Sequence, residues 1–232
     1  MDKLHKDLLR RTIGELRRTL AGGDDARGEW QRGDLDRGLE RLGIAPDGAR
    51  TPLSVLPAMT DGERRAHEVA VASLADVPAD RLAAARAEVV ERAAYTWINR
   101  LLALRAMEAR GLIDETLRAN PAYGGGSEAL YVLRQTAPAR CAGPDGGWWA
   151  VIEDACAAQA ADLPGLFDPA DPIAALRPAT AGLQRCIQLV GGAPAGYELA
   201  ECDAAYADPD AIGWAYQFYQ EEAKKRTYAK MK

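Results

Sequence analysis

Histidine is scarce in this chain and cysteine is never paired. The 232 residues hold two histidines, His5 and His67, and four cysteines, Cys141, Cys156, Cys186 and Cys202, none in a CxxC spacing. That excludes a zinc knuckle and a thioredoxin-like motif, argues against a Cys/His metal site, and leaves no credible Ser/His/Asp arrangement. The cysteines are read as reduced, buried thiols. No apolar run reaches the roughly 18 to 20 residues that a membrane-spanning helix needs. Met1 to Arg18 lacks the apolar core of a secretory signal, so a cytoplasmic chain without membrane contact is expected. Alternating strand patterns are almost absent and no repeat period is visible. The formal net charge of -5 gives no overall attraction to nucleic acid. Any DNA contact has to be local.

What is present is ordinary for a globular chain: 48% hydrophobic and 27% charged residues, enough for one large domain or two small ones. The pattern predicts a mainly α multi-helix bundle with a long central helix, extended Gly/Pro-rich loops and little or no β. Leu4, Leu8, Leu9, Ile13, Leu16 and Leu20 recur at helical spacing until Gly22-Gly23. Asp34 to Leu42 repeats that pattern, and Gly22 to Thr60 is otherwise expected to be irregular. Thr60 and Glu63 have the spacing of a capping box, with a helix following to about Ala75. Arg81 to Arg110 contains neither Gly nor Pro and ends at Gly111, which predicts the longest helix. Its second half, with Val90, Ala94, Trp97, Ile98, Leu101, Leu102 and Leu104, is apolar over most of its circumference and belongs inside a bundle. Shorter helices are expected at Asp114 to Ala119, Ser127 to Gln135, Trp148 to Ala161 and Thr180 to Leu189. A final helix is expected after Asp208 and Pro209, with Ile212, Ala215, Tyr216 and Tyr219 on one face. The expected division is residues 1–60, an amphipathic helix with an irregular segment, and residues 61–232, a helical domain.

Two groups of residues stand out against this background. Arg100, Arg105 and Glu108 interrupt a strongly apolar helix, where a charge without a partner costs several kcal/mol. They are read either as an ion-pair network that fixes helix register or as a contact to a phosphate or a partner domain, and Asn99 beside them as an amide that satisfies a neighbouring helix end. Lys224, Lys225, Arg226 and Lys230 form a basic tail on an acidic protein. They are the best local candidates for a DNA phosphate, although such charges also complement a helix C-terminus. Gly124-Gly125-Gly126 and Gly191-Gly192 lack the spacing of phosphate-binding loops. Trp214, Tyr216, Phe218 and Tyr219 are spaced for core packing as well as for stacking on bases.

Val90 to Glu108 (VERAAYTWINRLLALRAME) resembles a helix near the start of the PglX family, the adenine-specific DNA methyltransferases of BREX phage-defence systems. Ile212 to Tyr219 (IGWAYQFY) is similar to the helix that precedes the catalytic domain in that family, and Leu163-Pro164-Gly165-Leu166-Phe167 is similar to its LPxLF element. The resemblance implies a parent enzyme that methylates adenine N6 in a short asymmetric DNA sequence with S-adenosylmethionine. This chain would be its leading portion, as a truncation or a split-gene product. No catalytic, cofactor-binding or metal residue is assigned here. Asn120-Pro121-Ala122-Tyr123 imitates the adenine-binding loop of such enzymes, but it lacks the second proline and the preceding strand, and is read as a turn. The function expected is an N-terminal helical scaffold that embraces DNA. One alternative is a module that docks a separate methyltransferase or another defence-complex subunit, and a second is a small DNA-binding regulator. Expected partners are the catalytic region, other defence-complex proteins and double-stranded DNA.

Overall fold

The computed structural model describes the backbone of residues 1–230 and the side chains of residues 1–221. Among these the protein is mainly α-helical, with ten α-helices and one two-stranded antiparallel sheet. It forms two compact units. The first is made of Met1–Leu16, Ile98–Asp168 and Leu183–Lys232, and the second of Arg17–Trp97 and Pro169–Gly182. Residues on both sides of position 60 lie in the second unit.

The second unit begins with a hairpin that the sequence reading did not contain. β1 (Gly22–Asp24) pairs with β2 (Trp30–Arg32), Gly23 opposite Gln31. Its turn is closed by Asp25, whose carboxylate accepts from the Arg27 and Glu29 amides at 2.8 and 2.9 Å. α2 (Asp34–Arg41) buries Leu35 and Leu39. α3 (Asp61–Ser73) starts with the expected capping box: Thr60 Oγ1 accepts from the Glu63 amide, and the Glu63 carboxylate accepts from the Thr60 amide at 2.8 Å. Those Thr60 donors hold the Glu63 carboxyl below its ordinary value. His67 on α3 places Nδ1 2.7 Å from the Leu42 carbonyl, just past α2. This side-chain link is one of those that tie residues before and after position 60.

α4 (Leu82–Ala109) follows a single 3-10 turn, Ala79–Arg81, after Pro78. The apolar residues named above on its second half are all buried. It ends as expected at Gly111, which has φ +67°. The Gly111 amide donates to the Glu108 carbonyl and the Leu112 amide to the Met107 carbonyl, both at 2.9 Å, a pairing that satisfies carbonyls left open at a helix end.

In the first unit α1 (Lys3–Leu20) supplies Leu8, Leu9, Ile13 and Leu16, all fully buried and each contributing about 1.5 to 3 kcal/mol of transfer free energy. Leu4, expected on that face, is exposed in the first turn. The expected helix at Asp114 to Ala119 is absent and the segment is irregular. Its amides bond elsewhere: Leu117 and Arg118 donate to the Glu108 carboxylate, and Ala119 to the Gly191 carbonyl. α5 (Glu128–Thr136) is capped by Ser127, whose Oγ accepts from the Leu130 amide. α5 packs Leu130 and Leu133 against Ala150 and Val151 of α6 (Trp148–Gln159). α7 (Pro164–Phe167), α8 (Thr180–Gly191), α9 (Leu199–Ala207) and α10 (Ala211–Lys230) complete the order. α9 has no counterpart in the sequence reading. α10 also differs from expectation: its buried residues are Ala211, Ala215, Phe218 and Tyr219, whereas Ile212 and Tyr216 are 45% and 51% exposed. α1 packs on the buried side, with Arg10 over the buried Phe218 ring and Lys6 over the partly buried Trp214.

Candidate functional site

The charges that interrupt α4 are inside the protein, and each is spent on another segment of backbone. Arg100 Nε donates to the Leu166 carbonyl at 3.0 Å and Nη2 to that of Asp168 at 2.9 Å, where α7 ends. Arg105 is fully buried. Its Nε donates to the Val190 carbonyl at 3.1 Å near the end of α8, its Nη2 to the Asp203 carboxylate on α9, and its guanidinium lies 5.0 Å from the Tyr206 ring centre. Arg110 donates to the Ala207 and Asp208 carbonyls at the end of α9. Cations at helix C-termini meet open carbonyls and the negative end of the helix dipole at once.

Glu108 does the reverse. Its buried carboxylate accepts from the Leu117 and Arg118 amides at 3.2 and 2.8 Å. Burial is the main effect on this carboxyl and holds it above the ordinary value, against the pull of Arg105 and the two amides. Around it Arg118 bridges Asp203 and Glu115 at 3.0 Å each, and Glu115 accepts from the Asn120 side chain at 2.7 Å. The same Asn120 caps the turn Pro121–Tyr123 through its Oδ1, so Asn120-Pro121-Ala122-Tyr123 is a turn held at the edge of an ion-pair network.

Of the residues singled out from sequence, the structure therefore brings Arg105 and Glu108 into one network and gives Arg100 a separate anchor. Asn99 is half-buried and takes no part in either. The side chains of Lys224, Lys225, Arg226 and Lys230 lie outside the described residues. Sequence reasoning missed Asp203, Arg110 and Arg118, because nothing local marks an acid on α9 or an exposed arginine as the partner of a helix about 90 residues away.

The second unit repeats the device. Arg86, buried on α4, donates through Nε to the Ile44 carbonyl and through Nη1 to the Asp36 carboxylate. Trp97 Nε1 donates to the Leu176 carbonyl at 2.8 Å. Burial raises the Asp36 carboxyl, yet the hydrogen bonds from Arg32 and Arg86 bring it below the ordinary carboxylate range overall.

Burial pushes the Cys156 and Cys202 thiols up to about 11, far from the thiolate a nucleophile needs. Among the described residues no group of three or more His, Cys, Asp or Glu side chains is placed to hold a metal ion, and no helix is long and apolar enough to cross a membrane. What the arrangement can do is hold backbone ends in fixed positions. No protein-family model matches the chain and no curated protein sequence matches it.

Proposed function

We propose that this chain is the leading helical scaffold of a PglX-type N6-adenine DNA methyltransferase, with the S-adenosylmethionine chemistry and the adenine pocket carried by a catalytic region outside it. One observation carries the reading. The segment that resembles the family, Val90 to Glu108, carries the arginines that fix the ends of α7 and α8 and the glutamate that holds the irregular segment at Leu117 and Arg118. Such a helix gives a partner region a rigid surface to build on, which is what positioning a large substrate requires.

Co-expression with a methyltransferase region encoded in frame or beside it tests this. The two should co-purify and N6-methyladenine should appear in host DNA, while the chain alone should give no heat of binding with S-adenosylmethionine. Failure to associate under any condition, or micromolar cofactor binding by the isolated chain, would overturn the reading.

A docking module for a separate defence-complex protein is the second reading. It is favoured by Ile212 and Tyr216, which lie in the other family-like segment and are presented outward on α10. Tyr216→Ala should then abolish association with such a protein while the chain still unfolds cooperatively.

A further inference from the structure

A cleft of about 320 Å³ in the first unit belongs to neither network. Arg11, Thr12 and Glu15 of α1 face Arg185 and Gln188 of α8 across it, and the turn at residues 193–195 closes one side. The volume has room for roughly ten water-sized groups.

Its polar groups are donors in excess. Arg11 gives Nη1 to the Ala195 carbonyl at 2.9 Å, one of five N–H groups on its fork. Arg185 is half exposed and its Nη2 stands 3.9 Å from the Glu15 carboxylate, beyond hydrogen-bond reach. At the base, Thr12 is fully buried and its Oγ1 has no hydrogen-bond partner; the Tyr206 hydroxyl is near, but the two do not reach hydrogen-bonding geometry. Arg11 is bonded to one carbonyl and Arg185 pairs with Glu15 at 3.9 Å, so the two forks line the cleft with more N–H donors than these contacts use.

We propose that this cleft binds a small molecule bearing an oxyanion, a carboxylate or a phosphate monoester, with Arg185 as the main anchor and Arg11 as the second cation. Planar forks of this kind match two-oxygen acceptors. Glu15 competes for Arg185 and so sets the affinity from inside the site. Gln188 lines the same wall and offers both a donor and an acceptor to the remainder of the ligand. This inference is independent of the methyltransferase reading.

The test is a titration of the full chain with inorganic phosphate and, separately, with acetate, at ionic strength held constant with chloride and read on the arginine side-chain NMR signals. One anion should saturate the Arg185 and Arg11 signals, and whichever does so at lower concentration names the group. Arg185→Gln should weaken binding at least about tenfold, the loss of one charge-assisted hydrogen bond. Glu15→Gln should tighten it several-fold. If Arg185→Gln does not fold, Glu15→Gln decides, because a purely structural role for Glu15 has no reason to tighten anion binding. Absence of saturation by either anion, binding unaffected by Arg185→Gln, or weaker binding in Glu15→Gln would overturn the proposal.

Discussion

Glu108 shows how much one side chain decides here. Two backbone amides depend on its largely buried carboxylate. Glu108→Ala should cost about 2 to 4 kcal/mol in urea unfolding, the penalty of two buried donors without acceptors. Glu108→Gln, which keeps one acceptor oxygen, should cost less. The two carboxamide and carboxylate forms also differ in pH response. Burial raises the folded-state value of Glu108 above its unfolded one, so the native state retains the proton longer. Wild-type stability therefore falls as pH rises from the ordinary carboxylate range through the folded value. Glu108→Gln does not share that loss, and the stability gap between wild type and variant should narrow as pH rises from the ordinary carboxylate range through the raised folded-state value. A gap that widens over this interval would show that the carboxylate is stabilised by its neighbours more than burial opposes it.

At the scale of elements, helix ends are the points of control. α8 ends at Gly191, where a Cβ would stand 1.9 Å from the Leu117 carbonyl oxygen. The Ala119 amide bonds the Gly191 carbonyl at 2.8 Å, so the irregular segment that Glu108 holds runs directly against the α8 terminus. Gly191→Ala should destabilise by at least about 2 kcal/mol, since backbone rather than a mobile side chain must give way. Gly14, inside α1, has nothing within 4 Å of a Cβ. Gly14→Ala should raise stability by about 0.5 to 1 kcal/mol, the usual gain from replacing an unobstructed helical glycine. Thermal melts of the two variants side by side should move in opposite directions. The contrast also shows what was legible beforehand. The capping box at Thr60, the left-handed stop at Gly111 and the uninterrupted span before it depend on neighbours within a few residues, and all three are where the sequence places them. Asp114 to Ala119 carries a plausible helical composition, but its amides are taken by a carboxylate and a carbonyl from elsewhere.

For the molecule as a whole, acid should be the effective denaturant. Asp36 accepts from Arg32 at 2.5 Å and from buried Arg86, and its carboxyl lies below the ordinary range. A depressed carboxylate contributes stability that is present above its unfolded value and lost as pH falls through its folded one. Urea midpoints should therefore drop as pH falls below the ordinary carboxylate range, and Asp36→Asn should lower the midpoint at neutral pH while flattening this acid dependence. An unchanged acid slope in Asp36→Asn would assign the effect to other carboxylates. The same scale separates the candidate functions. Buried arginines explain the architecture, whereas the two proposed binding roles rest on what is outward: Ile212 and Tyr216 on α10, and Arg185 at the cleft.

Local sequence determined that this chain is helical, where its longest helix begins and stops, and that charges on an apolar helix must find partners. Each follows from interactions spanning a turn or two, which periodicity and capping residues record directly. Only the tertiary structure decided which partners those are. Arg105 meets Val190 and Asp203, and Arg100 meets Leu166 and Asp168, across 66 to 98 residues of chain. Folding also buried Phe218 together with Tyr219 and left Tyr216 outward, with Arg10 and Lys6 of α1 over the Phe218 and Trp214 rings. Choices of this kind depend on which surfaces close on one another in space, and no residue's immediate neighbours carry that information.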